Sequence, residues 1–220
     1  MGTGLAVAAS PAADAASGVQ RDGHILVLGD SISAAYGIQR ETGWVALLET
    51  RVKAANRELT VVNASISGET TGGGLARLPD LLEEYRPVAV IVELGGNDGL
   101  RGYPIGRIRS NLDAIVEASQ ASGAAVYLVR MQIPPNYGAR YTRAFAGIYE
   151  RVAESRSVTL IEGFLESVAL KPGFMQSDGI HPTATAQPYL VDAVWPYLVE
   201  SCQDLACLTA ARSGSTTGSE

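Results

Sequence analysis

The sequence has no run of about 18 consecutive apolar residues, the minimum for a helix that spans a bilayer, so no segment reads as membrane-inserted. It lacks a basic excess as well: 17 Lys and Arg stand against 23 Asp and Glu, a net charge of −6. Nucleic acid and anionic membrane surfaces require a basic footprint, and neither is the expected partner. Cysteine is scarce. Cys202 and Cys207 fall in "CQDLAC" near the C-terminus, and two cysteines at that spacing without clustered histidines do not make a zinc site. They would pair in an oxidising compartment and stay reduced in the cytosol. No glycine is followed by lysine, which excludes a Walker loop. The segment "GDSISAAYG" (29–37) lacks the second and third glycines of a dinucleotide fingerprint. Histidine is limited to His24 and His181, which leaves few candidates for any general base.

What remains is ordinary globular material. With 220 residues, 46% hydrophobic and 18% charged, the chain is long enough for one domain with a full core. We expect that domain over residues 22–200. The first 21 residues are set apart as a leader. The stretch "MGTGLAVAASPAADAASGVQ" is rich in Ala, Gly and Ser, has no Lys or Arg, and contains "AVAAS" and "ADAAS", which look like cleavage sites. Two readings stay open: a disordered leader or over-extended start, and a truncated export signal without its basic n-region. Residues 201–220 read as a polar C-terminal tail.

Five short, β-branched apolar runs recur at near-regular intervals: "HILVLGD" (24–30), "LTVVNASI" (59–66), "VAVIVELGG" (88–96), "AAVYLVRMQ" (124–132) and "SVTLIEG" (157–163). Near-continuous hydrophobicity is what strands buried on both faces require. Helical spacing appears in "GWVALLETRVKAAN", "IRSNLDAIVEASQASG", "YTRAFAGIYERVAESR" and "AQPYLVDAVWPYLVES", with Gly123 a C-terminal cap of the second. Strand–helix alternation predicts one parallel sheet in a three-layer α/β/α sandwich. In such sheets ligands sit beyond the carboxyl ends of the strands. The segments there are small or polar: "GDS", "SISGET", "GGNDG" and "MQIPPNYG".

A serine after strand one needs a base. His24 opens that strand at the far end of the sheet and reads as an ordinary strand histidine. His181, in "SDGIHP", lies after the last strand, with Pro182 expected in the first turn of the last helix. Asp178, three residues earlier, is placed to hold its second nitrogen. Acyl transfer also needs donors for a developing oxyanion. Gly68, Asn97 and the Ser31 N–H are candidates, each read alone as a plain turn residue. Asp30 offers itself as a second possible acid, with Asp178 preferred.

The blocks "GDSIS", "NASISGET", "GGND" and "DGIHP" resemble, in order, the four blocks of the SGNH or GDSL hydrolases. Longer stretches, "VVNASISGETTGGGLARLP", "VELGGNDGLRG", "PPNYG" and "LKPGFMQSDGIHP", are similar to the bacterial thioesterase–lysophospholipase–arylesterase group. The resemblance implies a flavodoxin-like five-stranded sheet of order 2-1-3-4-5. It implies Ser31 as nucleophile, His181 as base, Asp178 as its orienter, and Ser31, Gly68 and Asn97 as the oxyanion hole. It also implies a periplasmic or secreted enzyme, cytoplasmic if the leader is no signal. "GDSIS" lacks the second glycine of the α/β-hydrolase elbow, which disfavours an ordinary lipase.

The expected reaction is two-step hydrolysis of acyl esters or thioesters. The expected partner is a small-molecule substrate met by a monomer, without metal or organic cofactor. Met131, Ile133, Pro134 and Leu100 are the expected acyl-chain wall. Two other readings are carried: carbohydrate deacetylation by the same machinery, with Tyr36 and Tyr103 as the available sugar-stacking aromatics, and a non-catalytic flavodoxin-like module for phosphate or flavin.

Overall fold

The computed structural model describes residues 23–200. The leader and the tail with Cys202 and Cys207 lie outside the described residues. Five strands, β1 (Gly23–Gly29), β2 (Leu59–Asn63), β3 (Ala89–Glu93), β4 (Ala125–Val129) and β5 (Thr159–Ile161), form one sheet. All pairs are parallel and the order is 2-1-3-4-5. The helices are α1 (Trp44–Ala55), α2 (Thr71–Tyr85), α3 (Gly96–Leu100), α4 (Ile105–Ala121), α5 (Ala139–Arg156), α6 (Glu166–Ala169) and α7 (Gln187–Glu200). On one face α1 packs against α7; on the other α2, α4 and α5 lie side by side. This is the α/β/α sandwich expected from the alternating pattern. Among the described residues no helix is long and apolar enough to cross a membrane.

Burial follows strand position. Every residue of β3 and all but His24 in β1 are buried, while the edge strands β2 and β5 are partly open. Central parallel strands are covered by helices on both faces, and edge strands are not. Trp44 and Phe164 meet edge to face at 5.3 Å, and Phe145 meets Tyr149 at 5.6 Å. His24 is a strand residue as expected: its Nδ1 lies 2.7 Å from Thr60 Oγ1.

Strands β1, β2 and β3 end close to one another, and this positions the site. In register, Gly29 of β1 lies beside Glu93 of β3, and Val27 beside Asn63 of β2. The chain then leaves the sheet in all three places at the same edge. Asn63 ties two of these exits together: its Nδ2 donates to Ser33 O at 2.8 Å and its Oδ1 accepts from Ser65 N.

The short helices α3 and α6 are absent from the sequence reading, and two further differences are more informative. Helix α2 has no counterpart in it, because Gly72, Gly73 and Gly74 fill its first turn and Pro79 interrupts its middle. Tertiary contacts start it instead. Thr71 donates from N and Oγ1 to the two oxygens of buried Asp98 at 2.9 and 2.6 Å, and the Thr70 hydroxyl caps Gly73 N. The second difference is Pro182, which is not in the first turn of α7. It forms an isolated bridge with Met175, a tight 3-10 turn follows at Ala184–Ala186, and α7 begins at Gln187. Pro182 thus ends the loop of His181 and does not open the helix.

Candidate active site

The site begins where β1 ends. A side chain at Gly29 would put its Cβ 2.6 Å from Ser33 Oγ and 2.8 Å from Glu93 Oε2, so only glycine lets β1 pass this crowded point. Asp30 then turns the chain: its Oδ1 accepts from Ile32 N at 3.1 Å, and Ala34 N donates to its carbonyl at 2.9 Å. That turn leaves Ser31 at the carboxyl edge of the sheet, half-buried.

His181 approaches Ser31 from a loop 150 residues later. Its Nε2 lies 2.8 Å from Ser31 Oγ, and its Nδ1 lies 2.7 Å from Asp178 Oδ2. The other Asp178 oxygen accepts from Ile180 N and His181 N at 2.9 and 3.0 Å. The imidazole and these two N–H groups hold the Asp178 carboxyl down at about 2, so it is a carboxylate across the physiological range. Asp178 therefore anchors both the ring and the backbone of His181. The residues expected to act together from sequence form one continuous chain, Asp178–His181–Ser31.

Gly68 and Asn97 stand at the exits of the neighbouring strands. Gly68 sits at φ +79°, a left-handed conformation that glycine adopts without strain. Its carbonyl accepts from Arg101 Nη2 at 3.1 Å, linking the loop after β2 to the end of α3. Asn97, in the first turn of α3, donates from Nδ2 to Asp30 Oδ2 at 3.0 Å. That bond orients its amide and leaves a second N–H of the same nitrogen to serve another acceptor.

Asp30 is thus no partner of His181 but the support of Asn97. Beneath it lies Glu93, fully buried, whose Oε2 accepts from Ser33 Oγ at 2.6 Å and from Asp30 N at 3.3 Å. Trp44 Nε1 in turn donates to Ser33 Oγ at 3.2 Å. Burial, and then the charge of Asp30, push the Glu93 carboxyl well above the usual range. Burial raises Asp30 to about 6, against the hydrogen bonds it accepts. Glu93 was not among the residues expected from sequence. Its signal is the one acid inside "VAVIVELGG", an otherwise apolar run that ends in glycines.

The expected acyl-chain residues divide by depth. Met131 and Ile133 are core residues, and both press on α3: their side chains lie 3.5 and 2.6 Å from where a Cβ would stand at Gly96 and Gly99. Pro134 is exposed and Leu100 half-buried. The Tyr137 hydroxyl donates to Leu100 O at 2.9 Å, which ties the loop after β4 to α3.

The chain is similar to known proteins in both sequence and fold. Residues 27–187 match the GDSL-like lipase/acylhydrolase family. The chain is 51% identical over 174 residues to esterase TesA of Pseudomonas aeruginosa, covering 79% of this chain and 87% of that one. It is 47% identical over 176 residues to an arylesterase of Vibrio mimicus, covering 80% and 88%. It is 46% identical over 168 residues to thioesterase 1/protease 1/lysophospholipase L1 of Escherichia coli, covering 76% and 79%. Among solved structures, the psychrotrophic esterase EstA of a Pseudoalteromonas species superposes with a TM-score of 0.79 at 44% identity, covering 82% of this chain and 99% of that one. A match from the end of β1 to the start of α7, relatives aligned over most of the chain, and a serine set against a histidine at the sheet edge lead to one conclusion: the protein belongs to the GDSL-like lipase/acylhydrolase family, whose members are ester hydrolases.

Proposed function

We propose that the enzyme cleaves carboxylic esters and thioesters in two acyl-transfer steps, with Ser31 as nucleophile. The observation that carries this reading is the Asp178–His181–Ser31 chain, with contacts of 2.7 and 2.8 Å across 150 residues of sequence. His181 Nε2 takes the Ser31 proton as Oγ attacks the carbonyl carbon. The oxyanion is met by the N–H groups of Ser31 and Gly68 and by Asn97 Nδ2, each donor contributing about 10²–10³ in rate. The imidazolium, held in place by ionised Asp178, returns the proton to the leaving oxygen or sulfur as its bond to carbon breaks. Water then attacks the acyl carbon as it gives a proton to the same nitrogen; the bond from that carbon to Ser31 Oγ breaks, Oγ takes the proton back from the imidazolium, and the acid leaves.

The acyl chain is proposed to run along Leu100 and Pro134, with Met131 and Ile133 supporting the backbone beneath. Names of the relatives, esterase, arylesterase and thioesterase/lysophospholipase, support acyl esters and thioesters as substrates. The small-residue leader supports export to the periplasm or medium. The test is direct: Ser31→Ala should abolish p-nitrophenyl butyrate hydrolysis, and a fluorophosphonate should add one adduct, mapped to Ser31 by mass spectrometry. Wild-type turnover by Ser31→Ala would sink the proposal.

A further inference from the structure

Tyr36 has no task in this mechanism, yet it lies against its base. Its ring centroid is 4.5 Å from that of His181, with the planes at 39°, and the residue is 52% exposed. The backbone is bent to put it there. Ala35 adopts φ +60° and Gly37 φ +74°. Among the described residues only two other non-glycines, Arg86 and Ser157, have positive φ, and both end helices. Ala35 has the same role at the single turn after β1: its N donates to Ile32 O at 3.4 Å while Tyr36 N reaches Ser31 O, the pairing that closes a helical turn through a left-handed residue, and this turn fixes where Tyr36 stands. The bend is fastened at both sides: Tyr36 N donates to Ser31 O at 3.0 Å, and Gln176 Nε2 donates to Tyr36 O at 2.8 Å. Gln176 N also donates to His181 O at 2.8 Å. One residue therefore registers Tyr36 and His181 together.

The chemistry says what passes this ring. The leaving atom receives its proton from His181 Nε2, so it must come within hydrogen-bond reach, about 3 Å, of that nitrogen. A ring 4.5 Å from the imidazole borders the volume through which the leaving group departs. The acyl chain is assigned above to Leu100 and Pro134, which follow β3 and β4. We propose that Tyr36 forms the leaving-group subsite, its exposed ring surface stacking on a planar aromatic leaving group, an aryl oxide, while its other side backs His181. The proposal rests on the reading of Ser31 and His181 given above. In the step concerned, the bond from the carbonyl carbon to the aryl oxygen breaks, the acyl group stays on Ser31 Oγ, and the imidazolium proton goes to the departing oxygen. Tyr36 takes no proton and acts by contact alone.

Offset aromatic contacts at this spacing discriminate by a factor of about five. The test compares kcat/KM for phenyl, 2-naphthyl and ethyl butyrate, which share one acyl group. In Tyr36→Ala the phenyl-to-ethyl ratio should fall about five-fold and the naphthyl-to-ethyl ratio further, since a larger ring overlaps more. Tyr36→Phe should keep both ratios near those of wild type, because the ring and not the hydroxyl makes the contact. Equal losses for all three esters would overturn the subsite and leave Tyr36 as a support for His181. Unchanged ratios in Tyr36→Ala would overturn it as well. Fluorophosphonate labelling of Ser31 in each variant keeps this failure distinct from failure of the catalytic reading itself.

Discussion

Asp30 and Glu93 place two buried carboxyl groups beside Asn97, a proposed oxyanion donor, and Asp30→Asn is the substitution that probes them best. Asp30 is 2% exposed, and burial is the largest influence on it, raising its pKa from 3.8 to about 6. The folded state therefore binds this proton more tightly than the unfolded state. Its contribution to stability is full below about pH 4, declines between pH 4 and 6, and is lost above. At about 1.4 kcal/mol per pH unit, the decline amounts to roughly 3 kcal/mol. Asparagine has the same shape and does not titrate. The unfolding free energy of Asp30→Asn, relative to wild type, should accordingly shift by roughly 3 kcal/mol in the variant's favour between pH 4 and pH 7.

Activity should move the other way. In the variant, Oδ1 can keep Ile32 N, and the new amide nitrogen then faces Asn97 Nδ2, donor against donor. Asn97 relieves the conflict by turning its amide over, which carries its N–H groups away from the oxyanion. Loss of one such donor costs about 10²–10³ in kcat. Urea unfolding at pH 4, 5.5 and 7 measures the first effect, and p-nitrophenyl butyrate turnover at pH 7 measures the second. A stability difference that does not change with pH would refute the buried-carboxylate reasoning. A kcat within three-fold of wild type would refute the link from Asp30 to Asn97.

Two further substitutions test the supports of the site. Asp178→Asn should retain the fold but lower kcat by roughly 10³–10⁴, because an amide facing Nδ1 no longer imposes the tautomer that makes Nε2 a base; near-normal turnover of p-nitrophenyl butyrate would contradict the assignment. Gly29→Ala forces a methyl group to within 2.6 Å of Ser33 and 2.8 Å of Glu93, and should destabilise the protein by about 1–3 kcal/mol. Thermal unfolding followed by circular dichroism reads that loss, and an unchanged Tm would show that the β1 turn has slack.

Much of the architecture was legible in the chain because buried parallel strands are nearly all apolar, as "HILVLG" and "VAVIV" show, and because α4 repeats Ile108, Leu112, Ile115 and Val116 on one face. Helix α2 was not legible, since its first turn is written in glycines and its start is set by Asp98, 27 residues away. Pro182 misled for a similar reason: its fixed φ suits a helix start, yet the loop pairs it with Met175.

The site divides along the same line. Local sequence marked the chemistry: a serine, glycine and asparagine at three strand ends, and one histidine with an acid three residues before it. Those residue types and positions need only short-range pattern and the rule that parallel sheets present their carboxyl ends. What lies under the chemistry depended on the tertiary structure. That Asp30 supports Asn97, that Glu93 lies buried beneath the β1 turn and holds Ser33, and that Tyr36 leans on the imidazole are contacts between residues 60 to 145 positions apart. No local pattern encodes them, because hydrogen-bond geometry and desolvation exist only once the β1 and β3 exits are side by side.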